Sequence, residues 1–201
     1  MALTQDIGRR IELVSMDPHC GDITIGLYRQ QNQYLIHTYS HSASAAERLD
    51  FVARAMTVLG GMDLNGGLLS YSCGDAHPIA TRRLFLEACK LPNGADLMPR
   101  PMSIIDKKSG NEITVASLGG GLYRVAGTDS ARVDAVVNGF RKLAEVIPGP
   151  AGSAEFTFPC QSAHDELIGL LLPRALNVRQ VIREEEAAAS KGMLVAPSAQ
   201  K

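Results

Sequence analysis

No tryptophan occurs in this 201-residue chain, and aromatic residues make up only 5% of it. A charge excess is also missing: 20 lysines and arginines stand against 21 aspartates and glutamates, for a net charge of −1. A protein that grips nucleic acid or a membrane surface needs a basic face, often interleaved with aromatics, and neither ingredient is present. No apolar run approaches the roughly 18 residues of a membrane span. The N-terminal MALTQDIGRRIELVSM holds no run long enough for an export signal. These absences lead to the expectation of a cytoplasmic protein with no nucleic-acid or membrane partner. Cysteine is sparse, at positions 20, 73, 89 and 160, with no CxxC pair, and reads as free thiols. Cys89 lies on the apolar side of RRLFLEACKL, as a small core residue would.

What is present is ordered. Residues 11–16 (IELVSM), 22–29 (DITIGLYR) and 34–41 (YLIHTYSH) read as strands, with Ile23, Ile25 and Leu27 on one face. SASAAERLDFVARAMTVLGG follows as a helix, with Ser44 as N-cap, Leu49, Val52, Met56 and Leu59 on its inner face, and Gly60 as its stop. A glycine-rich loop, GGMDLNGG, leads to a fourth strand, LLSYSC. Asp75 then caps a helix from Ala76 to about Leu91, Pro78 being tolerated in its first turn. The order β-β-β-α-β-α then returns: MSIID and EITVASL around KKSGN, LYRVAGT, the helix TDSARVDAVVNGFRKLAEVI, a PGPAG loop, AEFTFPC, and a long last helix. In that helix Ser162 is the expected cap, Asp165 and Glu166 favour the positive dipole end, and Pro173 should kink it. DITI at 22–25 answers EITV at 112–115. LGGGLYRVAG has the look of a phosphate loop, but it occupies the place of QQNQ between two strands, so a hairpin is expected.

One pattern stands apart. YSCGDAH at 71–77 and FPCQSAH at 158–164 share Cys-x-x-Ala-His, 87 positions apart. Each would place Cys73 or Cys160 at the end of a strand and His77 or His164 in a first helical turn. Unpartnered N–H groups and a positive dipole there favour thiolate and neutral imidazole, the states a metal ligand needs. If the two junctions meet, two sulfurs and two nitrogens form a set suited to tetrahedral zinc. Two other readings stay open: a cysteine nucleophile activated by its histidine, or inherited packing with no site at all. A second polar concentration, His19, Cys20, His37, Tyr39 and His41, could line a small-ligand pocket near the third strand.

The expected architecture is α/β of the α+β type: two β-β-β-α-β-α halves, residues 1–95 and 96–186, related by internal duplication and a pseudo-two-fold axis. Mostly antiparallel sheets would be covered by helices, with a disordered tail at 187–201. Over residues 11–185 this element order resembles the ribosomal-protein-S5-domain-2 type of fold. That fold is found doubled in imidazoleglycerol-phosphate dehydratase and in the zinc deacetylase of lipid A synthesis. The dehydratase's paired-histidine helix motif is missing here, so the resemblance implies a topology and no activity. No complete catalytic motif is present, which leaves a small-ligand-binding or interaction protein, a zinc protein or zinc enzyme, and a cysteine enzyme as readings. Homo-oligomers are a further expectation, from sheet edges and from Leu167, Leu170, Leu171 and Leu172 on the last helix.

Overall fold

Alternation does build the first sheet. Ile25 and Leu27 on β2 (Thr24–Gln30) and Tyr34 and Ile36 on β3 (Gln33–Thr38) turn inward. β1 (Arg9–Met16) pairs antiparallel with β2. The structure, a computed structural model, describes residues 9–19, 23–105, 110–149 and 153–176. The tail expected at 187–201 and the expected continuation of the last helix beyond residue 176 lie outside the described residues.

Helix α1 (Ala43–Gly60) starts two residues earlier than its sequence suggests, because Ser42 rather than Ser44 accepts the Ala45 N–H. Gly61, left-handed at φ 63°, closes it. The glycine-rich stretch expected as a loop is instead β4 (Met62–Asn65), turning back into β5 (Leu68–Tyr71). Gly66 and Gly67 both take positive φ, 57° and 82°, which a two-residue hairpin turn of this hand requires. Helix α2 (Pro78–Lys90) follows.

The second half runs through β6 (Ser103–Ile105), β7 (Glu112–Gly119), β8 (Leu122–Gly127), α3 (Ser130–Phe140), β9 (Glu145–Pro148), β10 (Ser153–Thr157) and α4 (Asp165–Ala175). The helix expected to reach Ile147 stops at Phe140. Val146 and Ile147 pair with β10 instead, as β-branched residues do when an open strand edge is within reach. Gly119, Gly120 and Gly121 form the β7–β8 turn with positive φ, so the phosphate-loop look of LGGG is a hairpin's. Each half therefore carries five strands, ordered β1-β2-β3-β5-β4 and β6-β7-β8-β10-β9, all antiparallel. This corrects the four-strand units expected from sequence. The extra hairpin strand also departs from the single inter-helix strand on which the resemblance rested.

Among the described residues, two antiparallel five-stranded sheets and four helices make an α+β fold. Helix α4 touches α1, α2 and α3, and one hydrophobic cluster runs through both halves. Leu167, Leu170, Leu171 and Leu172 are buried within the chain, so that face is core. Pro173 is accommodated inside α4, two residues before its last residue. Close approach governs Gly169: a Cβ there would overlap the Arg100 carbonyl oxygen. Gly169→Ala is expected to cost about 2 kcal/mol, lowering the thermal midpoint by about 4–8 °C despite alanine's better helix propensity. A thermal melt checks this, and an unchanged midpoint would contradict the contact. Among the described residues, no helix is long and apolar enough to cross a membrane.

Candidate metal centre

The two Cys-x-x-Ala-His segments leave equivalent strands by the same path. After β5, Gly74 N–H donates to Tyr71 O (3.0 Å), and after β10, Gln161 N–H donates to Phe158 O (2.9 Å). Gly74 and Gln161 then take left-handed φ, 80° and 56°. His77 and His164 are the N-caps of α2 and α4. Asp75 and Ser162, the caps expected from sequence, lie two residues upstream. The strands likewise end before the cysteines, at Tyr71 and Thr157, so both cysteines sit in turns, half-buried.

The placement has a chemical consequence. Neither histidine spends its ring on capping the helix. Each instead turns Nε2 back to its own cysteine, at 3.2 Å from Cys73 Sγ and 3.1 Å from Cys160 Sγ. The two loops meet, and one donor atom from each of Cys73, His77, Cys160 and His164 lies within 4.8 Å of all the others. The donors of a tetrahedral zinc, with Zn–S about 2.3 Å and Zn–N about 2.0 Å, stand about 3.3–3.8 Å from one another. Small shifts would bring this set to that geometry, each Cys–His pair opening slightly from its 3.2 or 3.1 Å while the wider separations close.

Aromatic rings hold the imidazoles in place. His77 and His164 meet edge to face at 4.6 Å between centroids. Tyr71 contacts both, at 5.1 and 5.4 Å, and Phe158, at the same place in the second half, contacts both at 5.8 and 4.9 Å. Behind each loop stands a buried tyrosine from the second position of an inner strand. Tyr34 donates its hydroxyl to Ala76 O (2.9 Å). Tyr123 accepts the His164 N–H (2.5 Å) and donates to Asp165 Oδ1 (2.8 Å). Gly121 brings the β7–β8 turn against the backbone of Gln161 and Ser162, leaving no room for a Cβ. The sequence marked the four donors; it did not mark this supporting cage, whose members look like ordinary strand aromatics.

Burial lowers the basicity of both imidazoles; His164, further opposed by His77, is pushed down to about 4. The expectation of neutral histidines agrees with this. The expectation of a thiolate at Cys73 does not: burial pushes that thiol up, outweighing the Asp75 N–H that points at its sulfur, and Cys160 adds to the rise. The sign of the acid response follows from His164. Its native pKa lies below the unfolded value near 6.5, so it contributes stability above about pH 6.5 that is lost as pH falls toward 4. Between pH 7 and pH 4.5, chelator-treated protein is expected to lose about 2 kcal/mol more than His164→Asn does. Urea unfolding at pH 7 and pH 4.5 reads the difference, and equal losses would refute it.

The second polar group from the sequence is arranged differently. His19 is exposed, its Nε2 2.8 Å from Lys90 O. His37 and Tyr39, also exposed, stack edge to face (5.5 Å), with Tyr39 reaching the Tyr28 hydroxyl at 3.2 Å. His41 is exposed, and Cys20 lies outside the described residues. His37 lies on the solvated side of β3, whereas His19 sits in the turn after β1 against the end of α2, so the two do not share one pocket wall. A cavity of about 310 Å³ opens elsewhere, beside His77, where Asp75, Ile79, Lys142, Leu143 and Pro159 complete its wall.

Comparison of the chain with family models, with curated proteins and with solved structures gives no match.

Proposed function

We propose that this chain is a zinc-binding protein in which Cys73, His77, Cys160 and His164 hold one ion and tie its two halves together. The observation that carries this is the convergence of four donors, from segments 87 residues apart, within 4.8 Å of one another. Two thiolates would balance the charge of Zn²⁺, and two neutral imidazoles would complete the shell. Four protein ligands leave no open position for a substrate, so the ion is structural rather than catalytic. A cytoplasmic setting, where thiols stay reduced, suits such a site. The repeated turn, left-handed residue and N-cap histidine support an internal duplication, with halves at 1–95 and 96–186 and the ion near their pseudo-two-fold axis. The raised Cys73 thiol weighs against a cysteine nucleophile, which works as thiolate.

A second reading, small-ligand binding, is favoured by the cavity beside His77, whose walls are mostly apolar. It is compatible with the first.

Elemental analysis of protein purified without chelator tests the zinc reading. About one zinc per chain is expected, with cobalt substitution giving the intense visible bands of a tetrahedral thiolate site. Protein prepared with zinc present that carries no stoichiometric metal would refute it.

A further inference from the structure

The sulfurs of Cys73 and Cys160 are set for a bond to each other as well as to a metal. They lie within 4.8 Å, both half-buried, on turns that each half contributes. A disulfide needs about 2.05 Å between sulfurs, so they must approach by no more than about 2–3 Å. Beside each sulfur stands an imidazole nitrogen, at 3.2 and 3.1 Å, which keeps the two thiols turned toward the shared centre. Cys89, by contrast, is 3% exposed and out of reach of a dissolved oxidant.

We infer that hydrogen peroxide or a related hydroperoxide converts Cys73 and Cys160 into a disulfide that crosslinks the two halves, and that this disulfide and a bound metal exclude one another. The second clause rests on the zinc reading; the first does not. In the first step one sulfur attacks a peroxide oxygen, the O–O bond breaks, and a sulfenic acid forms with release of water. In the second, the other sulfur attacks the sulfenic sulfur and displaces its oxygen as a second water. The two thiols together lose two electrons and two protons, and one peroxide gains both. A sulfur committed to the S–S bond has no thiolate charge left for an ion, so zinc must leave.

The test uses the full chain, reduced, stripped with chelator and desalted, then titrated with hydrogen peroxide. The expected product has lost two hydrogens by intact mass, regains them with dithiothreitol, and yields under non-reducing digestion one peptide pair joining Cys73 to Cys160. Cys89→Ser is expected to keep that pair, and Cys73→Ser and Cys160→Ser each to lose it. Should either serine variant fail to fold, the wild-type peptide map still decides. Sulfinic acids without a crosslink, or a crosslink to another cysteine, would overturn the inference. In zinc-loaded protein, a metallochromic dye is expected to report one zinc released per disulfide. Disulfide with zinc retained overturns the exclusion. Crosslinking in a protein that never takes up zinc sinks the zinc reading and the exclusion, while the crosslink stands.

Discussion

On the zinc reading, removing the metal is expected to lower the thermal midpoint by about 8–16 °C. An ion bound only by the native state, at a free concentration about a thousandfold above its Kd, stabilises by about 4 kcal/mol. A chain of this length shifts by about 2–4 °C per kcal/mol. The effect should be large because the donors come from loops of different halves, which unfolding separates by 87 residues. Unfolding leaves only the two local Cys-x-x-Ala-His pairs, so the four-donor set is lost. Scanning calorimetry with and without chelator measures the shift. Cys160→Ser and His164→Asn should each melt low and show little response to added zinc. A midpoint indifferent to chelator in the wild-type protein would count against the site.

Arg48→Ala is expected to cost about 3–5 kcal/mol, or about 6–20 °C in midpoint. Arg48 on α1 is fully buried, its Nε paired with the equally buried Asp17. Its other nitrogens donate to Leu91 O (2.7 Å), Asn93 Oδ1 (3.0 Å) and Cys89 O (2.7 Å), and its guanidinium lies 5.4 Å from the Phe51 ring centre. One side chain thus caps the carbonyl end of α2 and fastens it to α1 and to the turn after β1. Alanine would leave Asp17 as a buried charge that has lost its guanidinium partner, and two helix-end carbonyls without their donor. Lysine should rescue little, since one ammonium cannot reproduce a fork that serves four acceptors. Urea denaturation of both variants measures this; a loss under about 1 kcal/mol for alanine would show the network to be dispensable. Because α2 carries His77 at its other end, the alanine variant should also bind zinc more weakly.

How much of this could be read in advance depends on the range of the force involved. Strand alternation at Ile25 and Leu27, the α1 stripe of Val52, Met56 and Leu59, and the hairpin at Gly119–Gly121 are local matters of periodicity and turn chemistry, and the bare sequence settles them. The β4 hairpin was legible too, in Asn65-Gly66-Gly67, but a glycine-rich stretch is easily mistaken for a loop. Strand β9 was not, because Val146 and Ile147 suit a helix or a strand until β10 offers an edge to pair with. The same division runs through the site. Sequence alone named Cys73, His77, Cys160 and His164 by their repeated spacing, since a fixed offset of four residues needs only a turn leading into a helix. Whether the two pairs stand together was decided by tertiary packing: α4 lodges against α1 and α2, Tyr71 and Phe158 close over both imidazoles, and only then do four distant donors share one small volume. Burial decided the Cys73 thiol as well, for a helix end can favour a thiolate only where the surroundings still solvate charge.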